Sequence, residues 1–88
     1  MEFEFDPAKS ATNREKHGLN FVQAQEIWAD ERSIDLVSLS LGEPRRLAVG
    51  LIGSRHWTAI WTPRGKNIRI ISVRRSRKDE VQKWLDGQ

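Results

Sequence analysis

Apolar and polar residues alternate over Glu2–Phe5, apolar positions then recur at helical spacing as far as Asp30, and alternation returns from Ile34 to Arg74. In the first segment Phe3 and Phe5 share one side and Glu2 and Glu4 the other, the pattern of a short strand. Asp6-Pro7 opens a helix, because aspartate accepts from free N–H groups at a helix start and proline lacks only a donor the first turn does not use. That helix should run to about His17 and stop at Gly18, with Lys16 and His17 in the last turn, where the helix dipole favours cations. A second helix follows, capped by Asn20 and Gln23 as a capping box, with Leu19 and Ala24 as its hydrophobic staple. Phe21, Ala24, Ile27 and Trp28 form its buried stripe, which ends near Asp30.

The second half reads as strands. Ile34–Leu41 is expected to carry a bulge at Leu36-Val37, where its phase shifts, before a turn at Gly42-Glu43-Pro44. Arg46–Ile52 puts Leu47, Val49 and Leu51 on one face, and Gly53-Ser54 suits a two-residue hairpin. His56–Thr62 aligns Trp57, Ala59 and Trp61; Thr62-Pro63-Arg64-Gly65 fits a type I turn; Asn67–Arg74 is the last strand. Ser76 is the expected cap of a closing helix that buries Val81, Trp84 and Leu85 and sets Asp79 and Glu80 against its dipole. The order β-α-α-β-β-β-β-α with hairpin connections predicts one α+β domain spanning 1–88, in which two N-terminal helices pack on an antiparallel sheet that also carries a C-terminal helix.

Charge changes this picture from fold to function. Residues 1–44 hold four Lys/Arg against nine Asp/Glu, whereas residues 45–88 hold eleven against three, so a modest net charge conceals a strongly dipolar chain. From Arg64 to Lys78 the cations Arg64, Lys66, Arg69, Arg74, Arg75, Arg77 and Lys78 are interrupted by no acidic residue. Held on a strand, they form a pre-positioned anion site suited to nucleic acid. No apolar run approaches the roughly 20 residues of a membrane-spanning helix, and the N-terminus does not read as a secretory signal. The lack of cysteine removes disulfides and thiolate metal ligands and fits a cytoplasmic setting. No His/Asp/Glu cluster has metal-ligand spacing, and neither a glycine-rich phosphate loop nor a Ser-His-Asp arrangement is present, so no metal or cofactor is expected.

Two blocks carry a resemblance. Phe3-Glu4-Phe5-Asp6-Pro7 with Lys9, Asn13, Lys16-His17-Gly18 and Phe21 forms the first; Arg64-Gly65, Ile68-Arg69-Ile70-Ile71-Ser72-Val73-Arg74-Arg75 and Glu80 form the second. In this order and spacing the chain resembles the BrnT family of type II toxins, with Phe5 where that family often has tryptophan and Val73 where alanine is common. The resemblance implies a RelE-like fold and a ribonuclease that inhibits translation by cleaving RNA. It also implies silencing by a cognate antitoxin, expected to be acidic or to carry an acidic segment and to form a 2:2 complex. Operator DNA would be reached indirectly through that antitoxin, and no membrane would be involved.

Metal-free RNA cleavage needs an activated 2′-hydroxyl, a stabilised phosphorane and a protonated leaving oxygen. Arginine suits the second task with its permanently charged planar fork, and histidine the other two, since an ordinary imidazole titrates near neutrality. The catalytic candidates are therefore His17, Arg69, Arg74 and Arg75, with Arg64 added through the resemblance, since by itself a turn arginine is surface decoration. Lys9, Lys16, Arg46, Arg77 and Lys78 are candidate RNA contacts. His17 could equally be a helix-end residue, Lys9 and Lys16 plain solvated charges on one helix face, and His56 a solvated strand residue. Arg69, between Ile68 and Ile70, must face a groove or pair with a carboxylate. By alternation Arg75 shares its face and Arg74 does not, unless a bulge intervenes, and aliphatics on both faces leave the core side open. Trp28, Trp57, Trp61 and Trp84 are expected in the core, with base stacking by Trp57 and Trp61 the alternative. A non-catalytic nucleic-acid- or protein-binding module built on the same basic sheet is the competing function.

Overall fold

A computed structural model describes residues 2–38 and 45–88. Strand β1 (Phe3–Glu4) leads into helix α1 (Pro7–His17). The start follows the local chemistry: the Asp6 carboxylate accepts the Ala8 N–H at 2.9 Å and Pro7 occupies the first turn. Gly18 ends the helix in the left-handed region, φ 87°, its N–H donating to the Arg14 carbonyl at 2.9 Å. The Asn20–Gln23 capping box also forms, Gln23 N–H to Asn20 Oδ1 at 2.8 Å and Asn20 N–H to Gln23 Oε1 at 2.9 Å. What it caps is not one regular helix but a 3-10 turn (Gln23–Gln25) that passes into a single α-turn, α2 (Glu26–Ala29). It ends at Asp30 as expected, where the backbone is extended and the carboxylate accepts the Leu51 N–H from the sheet at 2.9 Å.

Strands β2 (Ile34–Ser38), β3 (Arg45–Ile52), β4 (Arg55–Arg64) and β5 (Asn67–Arg75) follow, with α3 (Lys78–Asp86) at the end. The spatial order is β1-β5-β4-β3-β2. The four long strands form the expected antiparallel meander, but β1 lies parallel to β5, pairing Phe3 with Ile68 and Glu4 with Arg69, so the sheet is mixed rather than antiparallel throughout. Burial explains the seat: Phe3 packs edge-on against Trp28 at 5.1 Å, while Glu4 points to the other face.

Two further details depart from the sequence reading. Strand β2 runs in unbroken register with β3, from Ile34 opposite Val49 to Ser38 opposite Arg45, so no bulge lies at Leu36-Val37; Val37 is simply exposed. The expected end of that strand at Leu41 and the Gly42-Glu43-Pro44 turn lie outside the described residues. The β4–β5 turn is not Thr62–Gly65 but Gly65-Lys66, with Arg64 paired to Asn67 and Gly65 at φ 58°. A two-residue turn with positive φ matches the twist of its strands, which a type I turn would splay.

The core gathers Leu19, Phe21, Ala24 and Ile27 against Ala48, Trp57, Ala59, Ile70 and Val73. Gly50 permits the close approach of α2 to β3: a Cβ there would lie 3.0 Å from the Ile27 carbonyl oxygen and 3.2 Å from its Cγ2. Helix α3 bonds the opposite face, through Glu80 to Thr58 and through Trp84 stacked edge-on against His56 at 4.5 Å. It begins at Lys78 rather than on a Ser76 cap, because Ser76 is held by the sheet: its N–H donates to the His56 carbonyl at 3.1 Å and its hydroxyl meets that of Thr58 at 2.8 Å. Its inward residues are Glu80 and Trp84, whereas Leu85 is 51% exposed.

Candidate functional site

A bulge in β5 decides how the arginines are arranged. Ile60 pairs with Ser72 but its neighbour Trp61 pairs with Ile70, which leaves Ile71 as an extra residue. Beyond it the inward residues change from even to odd: Ile68 and Ile70 are buried before it and Val73 after it. Thr58 and Thr62 lie four apart on β4 and so share a face, and their partners on β5 are Arg74 and Arg69. Arg69 and Arg74 therefore stand together on the α3 face, and Arg75 turns to the other, where its guanidinium lies 5.6 Å from the Trp57 ring centroid. Regular alternation would have paired Arg69 with Arg75.

The two arginines are held differently. Glu4 on β1 reaches Arg69 Nη1 at 3.8 Å and Arg64 Nε at 3.9 Å, and accepts from Asn67 Nδ2 at 2.8 Å. These are long ion pairs, and the Arg69 and Arg64 side chains remain 36% and 59% exposed. Arg69 thus combines both expected settings, an open face and a neighbouring carboxylate. Arg74 is gripped: its Nη1 and Nη2 donate to the two oxygens of Glu80 at 2.7 and 2.8 Å. Glu80 also accepts the Arg77 N–H at 2.8 Å and the Thr58 hydroxyl at 3.0 Å. Burial by itself would raise the Glu80 carboxyl, but the hydrogen bonds from Arg74, Arg77 and Thr58 outweigh it and hold the group at about 2. In return the carboxylate raises the Arg74 guanidinium above its ordinary value, against the opposing effect of burial.

Beside the β5 bulge a cleft of about 300 Å³ opens towards α1. Lys9, Lys16 and His17 line its helix side, Ile71 and Ser72 its strand side, and no carboxylate lines it. Lys9, Lys16 and His17 are all exposed. Asn13 fastens the two walls: its Oδ1 accepts from the Val73 N–H at 3.1 Å and from the Ser72 hydroxyl at 3.4 Å, while its Nδ2 donates to the Val73 carbonyl at 2.9 Å.

The remaining candidates are dispersed. Arg46 is bound to Asp35 at 2.7 Å on the β2–β3 side and sits over Trp61, whose Nε1 donates to the same carboxylate at 3.1 Å. Arg77 and Lys78 are exposed at the start of α3. His56 is not a solvated strand residue: it is half-buried against Trp84, and its Nε2 is enclosed without a partner. Trp57 and Trp84 are buried, and Trp28 and Trp61 pack edge-on to each other at 6.1 Å at the margin of the core.

Sequence reasoning passed over Asn13 and Glu80 as site residues. Each left a signal. Asparagine is a poor helix former, and one in the middle of α1 implies a tertiary bond. Glu80 stands three residues after the last residue before α3, the capping-box spacing, and four before the buried Trp84. Among the described residues no group of three His, Cys, Asp or Glu side chains could hold a metal ion, and no helix is long and apolar enough to cross a membrane. A family model described as the ribonuclease toxin, BrnT, of type II toxin–antitoxin systems matches residues 5–80. No curated protein matches the chain.

Proposed function

The chain belongs to the BrnT family of ribonuclease toxins of type II toxin–antitoxin systems, and from that premise we propose that it is a metal-independent endoribonuclease that inhibits translation and is neutralised by a cognate antitoxin. One observation carries the chemistry: the cleft beside β5 combines an imidazole, His17, with the ammonium groups of Lys9 and Lys16 and has no carboxylate in its lining. A phosphate there meets cations and the hydroxyls of Thr12 and Ser72 with no anion to repel it, and His17 is the proton carrier for the 2′-hydroxyl or the leaving oxygen. Arg69 and Arg74, on the same strand, supply charge to the phosphorane, with Arg64 beside Arg69. Arg75, Arg77 and Lys78 extend the cationic surface past the strand end, and Arg46 adds a more distant RNA contact.

The antitoxin reading rests on charge. The basic half of the chain is an attractive seat for an acidic segment, and covering it silences RNA cleavage directly. Such a partner would bury about 1,200–2,000 Å² in total, the size of a specific interface. Its association should slow as salt rises, through lost electrostatic steering. Dimerisation through the DNA-binding partner would give two copies of each chain.

The deciding experiment expresses the chain alone in bacteria and incubates the purified protein with RNA in EDTA. Growth arrest with an early fall in protein synthesis, cleavage that survives EDTA, and relief of both by Ala at His17 or Arg69 are expected. Tight, salt-dependent RNA binding without cleavage would instead select the non-catalytic binding module.

A further inference from the structure

Glu80 is the buried carboxylate of the described residues, 3% exposed, and every donor that holds it is itself fixed. Thr58 is fully buried in β4, and the Arg77 N–H belongs to the start of α3. We propose that Glu80 is a positioning residue for RNA cleavage, acting through Arg74: it anchors the guanidinium to β4 and α3 so that the donors it leaves free are aimed before RNA arrives. This rests on the reading of Arg74 as a phosphate-facing group.

The geometry supports orientation rather than attraction. Guanidinium has five N–H donors, and Glu80 takes one on each terminal nitrogen, at 2.7 and 2.8 Å. Of the other three, one on Nη1 turns to the Arg75 carbonyl at 3.4 Å, which leaves the second Nη2 hydrogen and the Nε–H in the same plane, on a side chain that is 20% exposed. A free arginine loses much rotamer freedom on gripping phosphate; one already clamped in a bidentate pair has lost it on folding. The pair is also neutral as a unit, so it adds little long-range pull on RNA. Its effect therefore falls on the transition state, where an oriented donor meets developing charge, and appears in kcat rather than KM. A mere strut between β5 and α3 would change the melting temperature and leave kcat untouched below it.

The test measures steady-state cleavage of a single-stranded RNA oligonucleotide of mixed sequence in EDTA. It compares wild type, Arg74→Ala, Glu80→Gln and the double variant, each checked for fold by circular dichroism. Glu80→Gln and Arg74→Ala should each lower kcat by about 10- to 100-fold, the scale of a misplaced catalytic contact, with KM changed by less than about threefold. The double variant should be no slower than the worse single. Loss of kcat in Arg74→Ala but not in Glu80→Gln overturns the positioning role and leaves the function reading standing. Full activity in Arg74→Ala overturns the role of Arg74 itself, and a wild type that leaves RNA intact overturns the function reading and this inference with it. Should Glu80→Gln fail to fold, Thr58→Val strips one donor from the carboxylate and keeps the shape; unchanged kcat there overturns the proposal. NMR of the arginine side-chain nitrogens gives a readout independent of turnover: slow rotation of the Arg74 terminal nitrogens is expected in the wild type, and fast rotation overturns the clamp.

Discussion

Asn13 of α1 serves Val73 of β5 as a neighbouring strand would, donating to its carbonyl at 2.9 Å and accepting its N–H at 3.1 Å. The adjacent strand β1 is only two residues long and pairs with Ile68 and Arg69, so at Val73 the side-chain amide takes over the ladder. The same amide nitrogen reaches the Leu19 carbonyl at 2.7 Å, which fixes the chain as it leaves α1. One buried side chain thereby sets the spacing of both walls of the candidate cleft.

Asn13→Ala should cost about 2–4 kcal/mol, because it strands buried backbone groups without partners. Asn13→Asp should cost at least as much, since it sets a carboxylate against two carbonyl oxygens. Urea unfolding measures both. A loss below about 1 kcal/mol would mean that water replaces the amide at no penalty.

Acid should loosen the attachment of α3. The Glu80 carboxyl lies at about 2 in the folded protein against an ordinary 4.5, so the unfolded chain binds the proton more readily. The stability it contributes, about 3 kcal/mol by linkage, is present above pH about 4.5 and lost as pH falls towards 2. Asp30, whose carboxyl is lowered by hydrogen bonds from Leu51 and Arg32 despite opposing burial, adds loss of the same sign. Denaturation followed from pH 6 to 2 should show a much flatter dependence in Glu80→Gln than in the wild type; equal slopes would remove Glu80 as the titrating group.

His17→Gln should lower RNA cleavage by about 10²- to 10⁴-fold, the range for losing a general acid or base, while RNA affinity stays nearly constant. As a helix-end residue only, His17 would contribute about 0.3–1 kcal/mol of stability and nothing to the rate. Unchanged turnover in the variant ends the catalytic assignment.

Salt dependence should separate the arginines. Arg69→Ala should weaken RNA binding and lower the slope of log K against log salt by about 0.7, the share of one contact with a single strand. Arg46→Ala should change that slope less, because Asp35 already neutralises Arg46 at 2.7 Å. Equal slopes for the two variants would show that the RNA path includes the β2–β3 side.

Gly50→Ala should destabilise the protein by about 1–3 kcal/mol, the usual cost of overpacking. Its Cβ would press on the backbone oxygen of Ile27, 3.0 Å away, which cannot swing aside. A thermal melt within error of the wild type would show that α2 can lift off β3 freely.

The parts of this fold that were legible in the sequence are those made by neighbours. Asp6 with Pro7, Gly18, and Asn20 with Gln23 announce themselves because their bonds join residues a few positions apart. The pairing of β1 with β5 joins Glu4 to Arg69 across almost the whole chain, and no local pattern encodes it. The bulge at Ile71 was hidden because aliphatics occupy both faces of β5, so either phase looks equally apolar. Glu80 read as a first-turn acid answering the helix dipole, because only the tertiary fold brings Arg74 and Thr58 to it. Of the candidate site, the residue types were legible from charge and motif, but the bulge that puts Arg69 and Arg74 on one face of β5 was not.

The extra residue in β5 supplies local shape rather than phase. Ile70 stands opposite Trp61 and Ser72 opposite the adjacent Ile60, so a chain lacking Ile71 would alternate regularly, with Arg69 and Arg74 still on one face and Ile70 and Val73 still in the core. What Ile71 adds is a bend and extra twist in its strand, at the point where it lines the cleft against α1. Its deletion should therefore spare the fold and reshape the cleft.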